Sequence, residues 1–225
     1  MRILLALLFG ALLTAAAPQP ARDWRTNTGV APVTGGFTVG NPAAKVALVE
    51  YLSFTCPHCG HFFAESKAVL HDVMVRNGSV RVETRSAVRD PFDLAAWVVA
   101  RCGGPRRFQA LGGAIFAGQE GWLTRGQAWV QANLDAVKAM PQAAQLRAIA
   151  DNSGLAAIGA QHGVTPAALT ACFTGQGTLD PLLKMTDAAF AKISGTPGFE
   201  INGTLAADTY DWAHLEPKLR AAGAR

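Results

Sequence analysis

Residues 46–59, with the sequence VALVEYLSFTCPHC, decide the fold of this chain and point to its chemistry. The first half of the stretch is rich in branched and aromatic apolar residues, which indicates a buried strand. Beyond Cys59, apolar residues recur close to helical spacing as far as Val73. Cys56 and Cys59 are therefore predicted to lie at a strand-to-helix turn, with Cys56 near the helix N-terminus.

This position predicts that Cys56 is a reactive thiolate. Unpaired backbone N–H groups and the helix dipole favour negative charge there, and in C-x-x-C motifs they lower the cysteine pKa to roughly 3.5–7.5. His58 can add positive charge or a hydrogen bond to the sulfur, and Pro57 suits the first helical position. Because a stabilised thiolate leaves readily, the disulfide of this pair is predicted to be an oxidant. Cys59, one turn into the helix, is the expected resolving thiol.

The same residues allow three other interpretations of the motif. Haem attachment needs a histidine directly after the second cysteine, where Gly60 stands. A zinc site stays open, since the segment contains four potential ligands: Cys56, His58, Cys59 and His61. However, His58 is badly placed for a shared tetrahedron, and no second C-x-x-C or H-x-x-x-H follows, so we expect no metal. A purely structural short-loop disulfide is the last alternative.

The N-terminal residues indicate export. Met1 and Arg2 precede a short apolar run over 3–13, and small residues follow, so we expect a signal peptide at 1–17. An uncleaved anchor is the alternative, but the run is shorter than the ~20 residues that span a bilayer.

Export to an oxidising compartment predicts that the cysteines pair. The chain contains four of them: Cys56, Cys59, Cys102 and Cys172. If the first two pair with each other, the other two are a candidate second disulfide, which closes a loop of about 70 residues and contributes roughly 4 kcal/mol of stability. Two independent buried thiols are the alternative, because sequence alone does not bring them within bonding distance.

Composition favours a globular, helix-rich protein. Charged residues make up 16% and apolar residues 50% of the 225-residue chain, whereas about 25% charged residues is typical. The net charge of +4 is mild, and the Lys and Arg residues are scattered rather than gathered in a stripe, so nucleic-acid binding has little support. A mature chain of about 200 residues forms one domain, with room for an inserted subdomain.

Strand patterns bracket a helical stretch. Residues 18–40 are rich in proline and glycine and are expected to be an irregular lead-in, in which 37–39 could form a short edge strand. Residues 79–85 alternate apolar and polar and predict a second strand, whereas 94–173 show helical spacing only. Three further elements are expected near the C-terminus: a helix at 179–193, a strand with an Asn-Gly turn at 198–203, and a helix at 211–221.

The economical architecture is α/β, a mixed sheet with helices on both faces and an all-helical insertion. We therefore divide the chain into five segments. A signal peptide at 1–17 and the lead-in at 18–40 come first. The sheet domain follows in two parts, 41–90 and 176–225, with the helical insertion at 91–175 between them.

The residues also resemble a known family. The stretch EYLSFTCPHC at 50–59, the helical insertion, and Gly195-Thr196-Pro197 ahead of a strand and Asn202-Gly203 carry the likeness. From about Val46 to Leu219 the chain resembles the DsbA-type thiol:disulfide oxidoreductases of the bacterial periplasm. The resemblance implies a thioredoxin fold with an inserted helical subdomain, and an enzyme that introduces disulfides into reduced exported polypeptides.

Site roles are also implied by the resemblance. Cys56 would be the attacking thiol, Cys59 the resolving thiol, and His58 the group that tunes thiolate stability. Glu50 falls where the family has a buried acid below the disulfide, with a raised pKa suited to accepting the proton of Cys59. A partly exposed glutamate at a strand end is the alternative. Thr196-Pro197 matches the family's cis-proline loop, which pairs with an extended substrate peptide.

One departure bears on the direction of electron flow. Thr196 stands where the best-known oxidases have valine, and threonine there also occurs among isomerase-like and reductase-like relatives. A disulfide reductase or isomerase is therefore the alternative function, followed by a zinc-binding protein on the same scaffold. The extra cysteines, Cys102 and Cys172, resemble a structural disulfide of some family members.

The resemblance also implies partners. A reduced pair must be reoxidised, which implies a quinone-linked membrane partner of the DsbB type, and the protein itself needs no cofactor. Isomerase relatives carry a separate N-terminal dimerisation domain. Fewer than about 30 residues lie between the predicted signal and the first confident strand, so we expect a monomer.

Overall fold

A six-stranded sheet forms the centre of the molecule. The computed structural model describes residues 22–225, so the predicted signal peptide at 1–17 lies outside the described residues. The strands are β1 (Thr28–Val30), β2 (Phe37–Gly40), β3 (Val46–Leu52), β4 (Val80–Ser86), β5 (Gly198–Ile201) and β6 (Thr204–Leu205). Their order is β1-β2-β4-β3-β5-β6, with β3 and β4 parallel and the other neighbours antiparallel. The prediction of a mixed sheet is confirmed.

Ten α-helices surround the sheet within the described residues. They are α1 (Pro57–Val69), α2 (Pro91–Cys102), α3 (Pro105–Ala117), α4 (Gln119–Ala132), α5 (Leu134–Ala139), α6 (Gln142–Ser153), α7 (Leu155–Gln161), α8 (Pro166–Thr174), α9 (Gln176–Phe190) and α10 (Trp212–Ala222). A π-helical turn, Leu70–Val75, continues α1. Between residues 22 and 225, no helix is both long enough and apolar enough to cross a membrane.

The central strand β3 leads directly to the C-x-x-C motif. It pairs with β4 on one side, from Val46 opposite Val80 to Leu52 opposite Ser86, and with β5 on the other. Every residue of β3 except Ala47 is buried. A strand buried on both faces carries a nearly continuous apolar run, which is why this sequence predicted the strand correctly.

Within the described residues, the expectation of an irregular lead-in at 18–40 was wrong, because this segment supplies one side of the sheet, and the short strand considered at 37–39 is present as β2. β2 pairs with β4, and β1 pairs with β2 to form the edge strand. Phe37 of β2 is buried and packs edge-on against Phe108 of α3, with ring centroids 5.1 Å apart. β1 has the sequence TGV and no buried residue, so it carries no apolar pattern from which a strand could be predicted.

The helices α2 to α8 follow one another without an intervening strand, and we call them the helical block. We propose that residues 91–175 are an insertion in the sheet domain, because β4 precedes them and α9 returns the chain to pack on β4. Residues 94–100 of α2 are almost completely buried, which makes α2 the core helix of the block. A disulfide joins Cys102 at the end of α2 to Cys172 in α8, with their Cα atoms 5.9 Å apart.

The C-terminal elements follow the sequence pattern closely. The helix expected at 179–193 is α9, which begins and ends three residues earlier, and the expected terminal helix is α10. Asn202 and Gly203 both have positive φ, 51° and 81°, and form the turn between β5 and β6. This is the conformation for which an Asn-Gly pair is suited, because both residues tolerate the left-handed region.

The disulfide between α2 and α8 yields a stability prediction. We expect the Cys102→Ser/Cys172→Ser protein to fold with a free energy of unfolding lower by about 2–4 kcal/mol, since the crosslink restricts the unfolded chain. Urea unfolding of this protein and the wild type, both with Cys56 and Cys59 reduced and the wild-type crosslink intact, measures the difference. Equal free energies of unfolding would contradict a stabilising role.

Candidate active site

Cys56 is the N-cap residue of α1, and Pro57 occupies the first helical position. The Cys56 backbone N–H donates to the carbonyl of Ser53 at 3.3 Å, and its own carbonyl accepts from the N–H groups of Cys59 at 3.1 Å and Gly60 at 3.3 Å. The pair therefore lies at a strand-to-helix turn, as the sequence pattern predicts. Both cysteines are free thiols in the structure and both are buried.

The pKa values of the two thiols are shifted in opposite directions. The pKa of Cys56 is lowered to about 5, first by a hydrogen bond from the Cys59 thiol and then by the Thr196 side chain and the backbone N–H groups of Cys59 and His58, with burial acting against them. The pKa of Cys59 is raised well above 9.0, first by burial and then by the neighbouring Cys56. At neutral pH the arrangement therefore holds one thiolate and one thiol, with the charge on the N-terminal sulfur.

His58 contributes to the thiolate through its backbone. Its side chain is exposed, and no hydrogen bond of the ring is found within residues 22–225. Its backbone N–H is among the groups that lower the pKa of Cys56. A tuning role for the imidazole stays a prediction.

Glu50 lies on the core face of β3 and is only 2% exposed, so the alternative of a partly exposed strand-end residue is wrong. Leu48 and Leu52, which flank it on the same face, belong to the hydrophobic core that also contains Cys59. Its Oε2 accepts a long hydrogen bond from Thr84 at 3.4 Å, and its Oε1 has no partner. Burial raises the pKa of Glu50 to about 8, so the carboxyl is mostly protonated at pH 7.

The Thr196-Pro197 loop closes over the redox pair. The peptide bond between these residues is cis. The Sγ of Cys56 lies 3.2 Å from the backbone carbonyl oxygen of Thr196, although 140 residues separate the two in sequence. The structure thus brings together Cys56, Cys59 and the predicted substrate-binding loop.

Two acidic residues at the start of α2 bind the segment before Cys56. No sequence pattern indicated this contact. Asp93 is fully buried, and its carboxylate accepts from the backbone N–H groups of Phe54 at 2.7 Å and Arg89 at 3.0 Å. Burial raises the pKa of Asp93 to about 7. Asp90 caps α2 and accepts from the Thr55 hydroxyl at 2.7 Å. The Asp-Pro sequence could have indicated the helix start, but not its contact with residues 54 and 55.

One cavity adjoins the turn, and a second lies beside the cis-proline loop. The larger, about 930 Å³, lies between α1 and the helices α3 and α4, and Pro57, Gly60 and Gln119 are part of its lining. The smaller, about 250 Å³, lies on the side of the cis-proline loop and is lined by residues that include Gly195 and Tyr210.

No group of three or more His, Cys, Asp and Glu side chains converges as a metal site within residues 22–225. His58 and His61 are both exposed, whereas Cys56 and Cys59 are buried. The four potential ligands therefore do not face a common point, and the zinc alternative gains no support from the geometry.

Comparison with known proteins identifies the family. The family model described as Thioredoxin matches residues 33–220. The chain belongs to the thioredoxin family. Among solved structures, a protein-disulfide isomerase from Novosphingobium aromaticivorans is 36% identical, with a TM-score of 0.74 over 82% of this chain and 95% of that chain. Alpha-DsbA1 of Wolbachia pipientis has the same fold at 18% identity, with a TM-score of 0.65 over 85% of this chain and 92% of that chain.

These matches confirm the thioredoxin fold that the resemblance implies, and the DsbA-type neighbour shares this fold. A curated relative from Rickettsia bellii, provisionally named a protein-disulfide oxidoreductase, is 26% identical over 170 residues. The match covers 74% of this thioredoxin-family chain and 57% of the relative. The chain thus spans little more than half the length of such relatives.

The lowered pKa of Cys56 is directly measurable. We expect the ultraviolet absorbance of the thiolate in the reduced protein to rise with a midpoint near pH 5, against an ordinary thiol value of 9.0. Because the pKa of Cys56 is lower in the folded protein than in the unfolded chain, the thiolate also stabilises the reduced fold. This stabilisation is complete above about pH 9 and is lost as the pH falls to about 5. In the Cys59→Ala protein, which lacks the donor thiol, the midpoint should rise. A wild-type midpoint above about pH 8 would contradict the geometry.

Glu50 yields a second pH prediction of opposite sign. Its pKa rises from 4.5 to about 8 on folding, so the folded protein holds a proton that the unfolded chain releases. Stability therefore falls as the pH rises through this range, by at most about 1.4 kcal/mol per pH unit. We expect the free energy of unfolding of reduced Glu50→Gln protein to increase relative to that of the wild type by up to about 1.4 kcal/mol per pH unit between about pH 5 and pH 8, as measured by urea unfolding. The Glu65→Gln protein, altered on the exposed face of α1, is the control and should follow the wild type.

Proposed function

We propose that this protein is a thiol:disulfide oxidoreductase that introduces disulfides into exported polypeptides through Cys56 and Cys59. The observation that carries the proposal is the placement of Cys56 at the N-cap of α1 beside the buried Cys59 thiol, an arrangement that lowers the pKa of Cys56 and raises that of Cys59. A cysteine whose thiolate is stabilised is a good leaving group, and its disulfide is a strong oxidant because the reduced state is the favoured one.

The exchange has two steps. A substrate thiolate attacks the Sγ of Cys56 in the Cys56–Cys59 disulfide, which forms a mixed disulfide and releases Cys59 as a thiolate that takes up a proton. A second substrate thiolate then attacks the substrate sulfur of the mixed disulfide, and Cys56 leaves as a thiolate. The substrate loses two electrons and the protein gains them. Glu50, protonated at neutral pH and buried on the same core face, is the proposed proton donor and acceptor for Cys59.

The substrate chain is proposed to lie along the cis-proline loop. Extended peptides bind by adding main-chain hydrogen bonds to exposed backbone, and the Thr196 carbonyl oxygen of this loop lies 3.2 Å from the Cys56 sulfur. The cleft of about 250 Å³ beside Gly195 and Tyr210 gives space for a substrate side chain on this side. Cys56 itself is 3% exposed, so attack requires a peptide seated close to the loop.

Location, assembly and recycling are part of the same proposal. The Cys102–Cys172 crosslink suits an oxidising compartment, which supports export to the periplasm through the predicted signal peptide. Reduced exported polypeptides are the proposed substrates of a monomeric enzyme, and a quinone-linked membrane protein of the DsbB type is the proposed reoxidant. No cofactor takes part in the exchange steps.

A second candidate is a disulfide isomerase or reductase that uses the same pair. Thr196 before the cis-proline favours it, and so does the name of the Novosphingobium relative, which is a protein-disulfide isomerase. An isomerase attacks an existing substrate disulfide with the Cys56 thiolate, so it works from the reduced state. The two candidates therefore differ in the reduction potential that they need.

The reduction potential of the Cys56–Cys59 pair tests the proposal. We expect Cys102→Ser/Cys172→Ser protein, equilibrated with glutathione, to have a potential well above the thioredoxin value of about −270 mV. The Cys56→Ser version of this protein is the control and should show no two-electron exchange. A value close to that of thioredoxin would contradict the oxidase and favour a reductase or isomerase, which refolding of a scrambled-disulfide substrate would distinguish.

A further inference from the structure

Phe54, two residues before the proposed nucleophile, is held almost entirely by the helical block. Its N–H donates to Asp93 of α2 at 2.7 Å, and its carbonyl accepts from Gln119 of α4 at 2.8 Å. Its ring is 1% exposed and packs on Trp97 at 4.9 Å and Phe116 at 4.6 Å between centroids. Both backbone polar groups and the side chain of this residue are therefore fixed by helices distant from it in sequence.

Gln119 extends this hold to the redox pair. The same Nε2 that donates to Phe54 also donates to the backbone carbonyl of Cys56 at 2.9 Å. Gln119 is the first residue of α4, so one amide joins the helical block to the turn at two carbonyls. Gly60 permits the approach, because a Cβ at that position would lie 3.2 Å from Gln119 Oε1.

The carbonyl of Cys56 consequently accepts from three donors: Gln119, Cys59 and Gly60. Three donors fix the orientation of the peptide group that leads from Cys56 into α1. That peptide group leads into the first turn of α1, where the backbone N–H groups of Cys59 and His58 lower the Cys56 pKa, and the Cys59 N–H also donates to the Cys56 carbonyl. Because the thiolate exists only in the reduced protein, whatever holds the turn in this form favours the reduced state.

We propose that Gln119 is a positioning residue for the redox pair, which holds the carbonyls of Phe54 and Cys56 and so keeps the turn in the form that stabilises the Cys56 thiolate. The proposal rests on the proposed function, since it assigns to Gln119 a share of the oxidising strength of the pair. Gln119 does not touch the sulfur atoms, so it acts through the backbone of the turn.

The chemistry of the side chain suits this role. An amide nitrogen carries two hydrogens and can serve two carbonyl oxygens at once, and the amide group does not titrate. A glutamate would place carboxylate oxygens against those carbonyl oxygens. Gln119 is only partly buried and lies at the lining of the 930 Å³ cavity, so a leucine there removes the donors without opening a void in the core.

The test compares Gln119→Leu with the wild type by thiolate absorbance and by equilibration with glutathione. We expect the Cys56 pKa to rise by about half a unit to one unit, and the equilibrium constant for oxidation of glutathione to fall about threefold to tenfold. Gln119→Glu should move both quantities further in the same direction. Gln127→Leu is the matched control, because Gln127 lies on α4 and lines the same cavity but is exposed, and no hydrogen bond joins it to the turn within residues 22–225.

The outcomes separate the two proposals. An oxidising wild type whose pKa and equilibrium constant are unchanged in Gln119→Leu would overturn the positioning role and leave the proposed function intact. A lower melting temperature in Gln119→Leu without a change in either quantity would mean a structural role only, and would overturn the proposal. A wild-type Cys56 with an ordinary thiol pKa would contradict the proposed function itself.

Discussion

The start of α1 at Cys56 is the constraint on which the site depends. The first N–H groups of any helix lack carbonyl partners within the helix, and here the sulfur of the N-cap residue occupies the place of a capping oxygen. No side-chain hydrogen bond caps this end of α1, and the backbone N–H groups of Cys59 and His58 favour a thiolate there, although the Cys59 N–H also donates to the Cys56 carbonyl. The buried strand β3, the helical block and the cis-proline loop all serve to hold this helix start in place.

Burial reduces the negative charge on the two carboxyl groups below and beside the turn. Glu50 and Asp93 are both buried, and burial raises their pKa values to about 8 and about 7. Glu50 is therefore mostly neutral when Cys56 carries its negative charge, and it does not repel the thiolate. A carboxyl of this kind can exchange a proton with Cys59 at neutral pH, whereas an exposed glutamate would remain ionised.

Much of the fold could be predicted from sequence because the key elements carry local signals. The apolar run of β3, the alternation in β4 and the Cys-Pro start of α1 each identify an element without knowledge of its partners. β1 could not be predicted, since it is short, has no buried residue and pairs only with β2 in the sheet. Asp93 and Gln119 could not be predicted for a related reason. Asp93 contacts Phe54 across 39 residues and Gln119 contacts it across 65 residues, and no local pattern encodes such contacts.

Contacts from outside the motif allow proteins that share C-P-H-C to differ. The field from the α1 N-terminus is a property of the backbone, so every chain that starts a helix at the first cysteine of C-P-H-C has it. In this chain two further contacts come from outside the motif: an amide from α4 on the Cys56 carbonyl and a carbonyl from the Thr196 loop near the sulfur. Both come from segments that are remote in sequence, and a substitution in either leaves the motif unchanged. The motif therefore identifies the thiol-disulfide chemistry, while the reduction potential of the pair depends on the elements that pack against it.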